Sequence, residues 1–357
     1  MSEATTIVTA AEAVFFPLDE QLRLWEKHWS EGLAKEAVWV SGVVDSYAEA
    51  EAIMSRIGHV YMSDSTIWRR VERWGEQFQV LEQQRQAQAL ALPRSGTLIR
   101  GIDKRAGRLG TALDGAMVHL RREGWKELKV GCLFDIESQA VWDLDTKEWL
   151  DLGQAVNTTY LAHLGGPEMF GQLLWAEAQA RGWQAVYDTQ VLGDGAPWIW
   201  RLADEHFFDS RQTLDWSHAS THLHAAAQLI YPHDQAKAQR WFHQAQTPLF
   251  QGQAERLAAS MRQHATGQTA RAQALRTEAT YFETHKRRMQ YLELREEGYL
   301  LGSGMVESGA KQFKARFTGP GMRWSRPGLE RLIPIRAAIM SRHFDLLWPK
   351  VYLSPLN

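Results

Sequence analysis

GTALDGAMVHL, Gly110 to Leu120, is followed by a polar turn at Arg121 to Gly124 and then by KELKVGCLFDI, Lys126 to Ile136. Apolar and polar residues alternate in the first segment, and aliphatic residues crowd the second, so the pair reads as antiparallel strands of a sheet with one well-buried face. QAVWDL, 139 to 144, reads as a third strand of the same meander. Asp114 shares a strand face with Ala112, Ala116 and Val118, and a carboxylate in that company is costly unless something cationic holds it. The competing reading makes LDGA a two-residue hairpin turn, because Asp-Gly is a strong hairpin signal. The better turn at Arg121 to Gly124 weighs against it.

Downstream the pattern changes to alternating helices and strands. Pro167 to Arg181 has helical period and is closed by Gly182 as a C-cap. QAVYDTQVLGDG, 184 to 195, reads as a strand ending in a glycine turn, and APWIWRLADEHF as a helix opened by Pro197. SRQTLDWSH gives another strand and STHLHAAAQLI another helix. The order β-β-β-α-β-α-β-α is that of an α/β, ribonuclease H-like domain, a mixed sheet with helices on its faces. From about Pro232 to Gly298 the strand signal disappears, and helical spacing in an Ala, Gln, Arg and Glu-rich stretch predicts an all-α insertion. The expected segments are an N-terminal helical segment over 1–45, a helix-turn-helix over 46–80, a basic connector over 81–108, the first part of the core over 109–231, the insertion over 232–298 and the C-terminal part of the core over 299–357.

The helix-turn-helix rests on the text from Ser46 to Phe78. Ala48, Ala52 and Ile53 give one helical face, Gly58 breaks it, and Ser63 is a good N-cap for a second short helix carrying Ile67, Val71 and Trp74. Thr66, Arg69, Arg70 and Arg73 then point away from the apolar face, where a DNA major groove could be read. Any helical hairpin packed into a core shares this pattern.

LGSGMVESGAKQFKARFTGPGMRWS, Leu301 to Ser325, begins like a dinucleotide fingerprint, but Glu307 stands where the third glycine belongs. A carboxylate in the first turn of a helix repels the phosphate that such a loop binds. The helix that follows buries Val306, Ala310, Phe313 and Phe317, with Glu307, Lys311 and Lys314 on the neighbouring stripe. The glycines ahead of it are expected to let the backbone approach closely. Asp194, in LGDGAP at the carboxyl end of a strand, sits where open sheets place ligand-handling groups; it also fits a turn aspartate. Glu307 also fits an exposed i, i+4 ion pair with Lys311. Taken together, two aspartates and a glutamate delivered from two strands and a helix form a hard oxygen cage suited to Mg²⁺ or Mn²⁺. A pair of such ions about 4 Å apart can activate a water or 3′-hydroxyl at a phosphodiester and stabilise the leaving oxygen.

Size, charge and cysteine usage bound these readings. The chain has 357 residues, 45% of them apolar, with a formal net charge of −2. One cysteine, Cys132, excludes disulfides and any thiolate-rich zinc site. With no basic leader followed by an apolar run, a cytoplasmic protein is expected. Local charge is uneven: Lys311, Lys314, Arg316, Arg323, Arg326, Arg331, Arg336 and Arg342 stand against Glu330 alone, and Arg94, Arg100, Lys104, Arg105 and Arg108 stand against Asp103. Such stripes on a near-neutral chain suggest a polyanion groove, with a solvated helix face as the plain alternative. In RFTGPGMRWSRPG, Arg316, Arg323 and Arg326 are placed to grip phosphates and Trp324 to stack on an unpaired base, or to join the core.

Several stretches resemble the DDE transposases of bacterial insertion sequences, the ISKra type. These are FPLDEQL near residue 16, YMSDSTIWRRVERWGE, LDGAMV with WKELKVGCLFD, LGDGAPWIWRLADEHF, TLDWSHASTHL, GSGMVES with GMRWS, and IRAAIMSRHFDLLW. The resemblance implies metal-dependent cleavage at element ends and strand transfer into target DNA, with Asp114, Asp194 and Glu307 as the catalytic acids and metal ligands. It also implies a bacterial, nucleoid-associated protein working on double-stranded DNA as a homodimer or higher oligomer. Asp215 with His218 is similar to the acid-and-histidine signature that follows the last strand in related enzymes, where it supports the active site; the histidines also fit simple helix capping. Members of the family usually carry a cysteine-rich zinc-binding segment ahead of FPLDE, where this chain has fifteen residues and no cysteine. A catalytically inactive or domesticated DNA-binding remnant is therefore the second reading, and a stand-alone nuclease of the same fold a third.

Overall fold

The computed structural model describes residues 29–91, 105–142, 147–319 and 321–352. FPLDEQL, most of the amphipathic segment from Leu18, and the basic residues Arg94, Arg100 and Lys104 lie outside them. The elements in chain order are α1 (Glu31–Val43), α2 (Tyr47–Arg56), α3 (Asp64–Leu90), β1 (Arg105–Leu120), β2 (Gly124–Trp142), β3 (Trp149–Leu164), α4 (Pro167–Ala180), β4 (Val186–Gly193), α5 (Pro197–His206), β5 (Arg211–Leu214), α6 (Trp216–Ile230), α7 (Gln235–Phe250), α8 (Ala254–His264), α9 (Ala270–His285), α10 (Tyr291–Glu296), α11 (Gly304–Phe317), α12 (Arg326–Met340) and α13 (Phe344–Tyr352).

The strands form one mixed sheet in the order β3-β2-β1-β4-β5. β1, β2 and β3 are antiparallel neighbours, while β4 runs parallel to β1 and β5 parallel to β4. This mixed α/β architecture is compatible with a ribonuclease H-like core. The turn at Arg121 to Gly124 closes the β1–β2 hairpin, with Leu120 opposite Gly124, and Asp114 pairs in mid-strand with Val130. The hairpin reading of LDGA is excluded.

Strand alternation sorts the sheet's two faces into separate cores. Ala112, Ala116 and Val118 of β1 join Val130, Cys132 and Leu192 in a cluster with Val306, Ala310, Phe313 and Phe317 of α11. Leu109, Leu113 and Val191 face the other way, into a cluster with Phe170 and Leu174 of α4, Ile199 of α5 and Leu223 of α6. The period of two thus puts α11 and α4 on opposite sides of the same strands.

Several expected boundaries move. QAVWDL is no separate strand, because β2 runs unbroken to Trp142 and the third strand is Trp149–Leu164. As an edge strand β3 is mostly half-buried without clean alternation, and its register with β2 shifts near Asn157, whose φ is 52°. Its sequence therefore carries little periodic signal. α6 starts at Trp216, earlier than STHLHAAAQLI suggests, because Asp215 caps it by accepting from the His218 amide. The second N-terminal helix is long, 27 residues, and continues through the expected boundary at residue 80. Trp74 contacts the rings of Trp348 and Tyr352 at 5.6 and 5.0 Å, and Phe78 stacks on Phe344 at 5.8 Å. In α2 the buried residues are Ala50 and Met54, whereas Ala48 and Ala52 are exposed. Between Tyr231 and Gly298 no strand occurs and α7 to α10 pack together, as the helical spacing predicts.

Candidate functional site

The site follows from strand register. Leu113 of β1 is the last residue paired with β4, opposite Gly193, and Gly193 is in turn opposite Leu214 of β5. The next residue on each strand is acidic. Asp114, Asp194 and Asp215 therefore stand side by side across three neighbouring strands where β4 and β5 end, the position at which open sheets collect ligand-handling groups.

The three acids differ in surroundings. Asp215 is buried at 1% exposure. It accepts from the Ser217 hydroxyl, from the His218 amide at 3.0 Å and ring Nδ1 at 3.2 Å, and from both the amide and the hydroxyl of Ser303, the latter at 2.8 Å. Burial alone would push its pKa up, but the bonds from His218, Ser217 and Ser303 overcome this and hold it well below the usual carboxylate range. Ser303 is the residue on which α11 starts, and its carbonyl accepts from the Glu307 amide at 3.1 Å. Trp216 adds a bond from its amide to the Leu301 carbonyl at 2.9 Å. Asp215 thereby fixes the start of α11, and with it Glu307, against the end of β5.

Asp114 is the opposite case. Burial raises its pKa, the Gly115 amide and the charge of His218 lower it, and the charges of Asp194 and Glu307 raise it again. Asp194 accepts from the Ala196 amide at 2.9 Å through one oxygen, and Asp114 from the Gly115 amide at 2.7 Å through one. Each keeps a second oxygen for another partner. Glu307 lies 3.4 Å from the Ser217 hydroxyl. His218 is the nearby cation: its bond to Asp215 raises its pKa, burial opposes, and the charges of Asp215, Asp194 and Glu307 add to the rise. The sequence-predicted residues Asp114, Asp194, Glu307, Asp215 and His218 are thus brought together.

The donor set fits a hard divalent cation. One oxygen or nitrogen from each of Asp215, His218 and Glu307 lies within 4.8 Å of the others. Asp114 and Asp194 do not fall within that 4.8 Å group, but both Asp215 oxygens are already taken up by hydrogen bonds, so Asp114, Asp194 and Glu307 are the carboxylates beside it with oxygens left for a further partner. The charges of Asp194 and Glu307 raise the Asp114 pKa while His218 opposes them, and oxygen-rich anionic clusters of this kind suit Mg²⁺ or Mn²⁺.

Sequence reasoning missed part of this surrounding. Tyr281 of α9 donates to the Asp194 carbonyl at 3.2 Å and stacks on His222 at 3.7 Å, while His222 Nδ1 lies 2.8 Å from Glu278. Gly195, with φ of 106°, leaves room for the Tyr281 ring. No local motif announces Tyr281 or Glu278, because they reach the site from a helical hairpin far along the chain. Ser217 and Ser303 stand inside DWSH and GSG, and neither has an expected role from the sequence. The close approach expected of Gly302 and Gly304 belongs to Gly309, where a Cβ would lie 2.5 Å from the Tyr160 ring; Gly304 has open space around it.

The residues expected to face DNA divide sharply. Arg316 is 1% exposed and bonds the carbonyls of Ser41 at 2.9 Å and Asp45 at 3.2 Å, so it is not an open phosphate grip. Burial lowers its pKa to about 10. Arg326 forms a two-pronged pair with Glu123 at 2.9 and 2.6 Å and also reaches Glu330. Arg331 pairs with Glu72, and Arg336 bonds the Gly42 carbonyl at 3.0 Å. Arg108 of the upstream run bonds Asp188 and the Glu297 carbonyl. Trp324 is half-buried, its Nε1 donating to the Phe317 carbonyl at 2.9 Å. Lys311, Lys314, Arg323 and Arg69 are exposed; Thr66, Arg70 and Arg73 are half-buried, with Arg70 over the Trp29 ring and Arg73 over Trp74.

No known family model matches the chain, and no curated protein is significantly similar to it. Among the described residues no helix is long and apolar enough to cross a membrane.

Proposed function

We propose that this chain is a metal-dependent DNA transposase of the DDE type, cleaving at element ends and joining the freed 3′-hydroxyl to target DNA. The observation that carries the reading is the convergence of Asp114, in mid-strand on β1, and Asp194, just past the end of β4, with Glu307 from α11, where the charges of Asp194 and Glu307 both raise the Asp114 pKa. Asp114, Asp194 and Glu307 would hold Mg²⁺ or Mn²⁺, which supplies activation of the attacking oxygen and stabilisation of the leaving one. Asp215 positions Glu307 through Ser303, and His218, whose hold on a proton Asp215 strengthens, tempers the negative cluster. Exposed Lys311 and Lys314 follow Glu307 along α11, so phosphates flanking the scissile bond meet positive charge on the same helix. The hairpin of α2 and α3 would read duplex DNA through Arg69, the most open of its candidate residues, with a second copy of the chain on the other element end.

The test is a strand-cleavage and strand-transfer assay with element-end DNA and Mg²⁺. Asp114→Asn, Asp194→Asn and Glu307→Gln should each abolish both steps while leaving duplex binding in place. Cleavage that survives all three changes would sink the reading. Sequence-specific DNA binding with no Mg²⁺ or Mn²⁺ site by calorimetry would favour the DNA-binding remnant instead.

A further inference from the structure

A second cavity, distant in chemistry from the acidic cluster, lies where α2 and α3 meet the loop before α12. Its volume is about 350 Å³, within the roughly 300–1,000 Å³ of small-molecule sites. Three aromatic rings line it, Tyr47, Trp68 and Trp324, together with Arg121, Arg316 and Arg323. Asp45 is the one acidic residue among the described lining residues.

Two observations mark it as more than a crevice. The Arg316 guanidinium is buried beneath it, 5.1 Å from the Trp324 ring and 5.8 Å from Tyr47, and its Nη2 has no hydrogen-bond partner although Nε and Nη1 are both engaged. A buried charged donor left unmatched is costly, and such groups in native proteins are normally completed by a partner. Trp68, by contrast, is 45% exposed on a helix that otherwise buries its aromatics. The loop is also held in place. The Arg121 amide donates to the Trp324 carbonyl at 2.8 Å, the Arg121 Nε to the Arg323 carbonyl at 2.9 Å, and Ser325 caps α12. Flat rings around a cationic floor complement a ligand that is planar on one part and anionic on another.

We propose that this cavity binds one nucleotide unit, its base against Trp68 and the neighbouring rings and its phosphate at the exposed Arg323, above the buried charge of Arg316. This deepens the DNA reading, and the choice of an unpaired strand end as the source of that nucleotide rests on it; a free nucleotide offers the same chemistry.

The experiment uses the full chain in EDTA, so that strand cleavage plays no part, and follows tryptophan fluorescence and calorimetry with thymidine monophosphate, a short thymidine oligonucleotide, a blunt duplex and inorganic phosphate. Thymidine monophosphate should bind and phosphate alone far more weakly. Binding of the oligonucleotide as well assigns a strand end, and refusal of it assigns a free nucleotide; either supports the site. Trp68→Ala and Arg323→Ala, both at exposed positions, should each weaken binding about tenfold, the scale of losing one stacked base, with thermal melting unchanged. Arg316→Lys should weaken it further, and Glu307→Gln should leave it intact, which separates this site from the proposed catalytic one. The proposal is overturned if phosphate binds as tightly as the mononucleotide, if none of the probes binds, or if Trp68→Ala and Arg323→Ala leave the affinity unchanged.

Discussion

The arginines of the C-terminal stripe and the carboxylates at the strand ends are both dense clusters of one sign, and they are used in opposite ways. Arg316, Arg326, Arg331 and Arg336 each reach a carbonyl or carboxylate on another element, so their charge is consumed in tying α11 and α12 to α1, α3 and the β1–β2 turn. Asp114, Asp194 and Glu307 are left facing one another. Like charges brought together in a half-buried place oppose folding, and carboxyls whose pKa burial and neighbouring acids raise, as with Asp114, gather at functional sites. Charge density in the sequence therefore does not separate charges bound into the architecture from charges left facing one another; the fold does.

The comparison can be broken most sharply at Glu307. Glu307→Gln should lower strand cleavage by about three orders of magnitude or more, read as product formed per hour, with the melting temperature held or raised. A variant that unfolds instead would mean that Glu307 is a structural partner like the arginines. The reverse expectation applies to Arg316. Arg316→Met strands the buried Ser41 carbonyl and should cost about 2–4 kcal/mol in urea unfolding. A cost near zero would place it with the surface charges.

Asp114 sharpens the point through pH. Its folded pKa is raised, first by burial and then by Asp194 and Glu307, so the folded state holds the proton more tightly than the unfolded chain does. The penalty is absent below the unfolded value near 3.8, grows as pH rises through the folded pKa, and is then constant. Asp114→Asn should therefore stabilise the protein at pH 7, by about 2 °C in melting temperature, and should lose that advantage in acid. A destabilised variant at neutral pH would show that the attraction of His218 outweighs burial and the neighbouring carboxylates. His218 runs the other way: its pKa is raised above 6.5 by Asp215, so its contribution to stability is complete below that value and is lost as pH rises through the folded pKa. Its ring resonances should titrate above 6.5 in the wild type and move down in Asp215→Asn, where an unmoved titration would disconnect the pair. The smallest effects belong to Lys311 and Lys314. Replacing either by Ala should leave stability unchanged and reduce the salt dependence of DNA binding by about one in log–log slope.

Much of the sheet was legible from the chain because alternation in a strand with one buried face is a local property. Asp114 could be assigned to the α11 side of β1 from its neighbours Ala112, Ala116 and Val118. β3 was missed for the same reason in reverse: an edge strand with half-buried residues and a register shift at Asn157 has no clean period to read. The helix of Glu307 was predicted with its buried face, since Val306, Ala310, Phe313 and Phe317 repeat at helical spacing. Its glycines were misread, because Gly309 is required by a ring on β3, which the local text does not contain.

The sequence alone determined the alternation of strands and helices, the acid within β1, the acids just past β4 and β5, and the acid in the first turn of α11. These follow from periodicity and capping, which act over a few residues. Only the tertiary structure decided that Leu113, Gly193 and Leu214 lie level, so that three acids meet, and that Asp215 is saturated by Ser217, His218 and Ser303 while Asp114 is not. It also decided which arginines are architecture. Register across strands and partners across hundreds of residues are set by how the two cores pack, and no local stretch of chain holds that information.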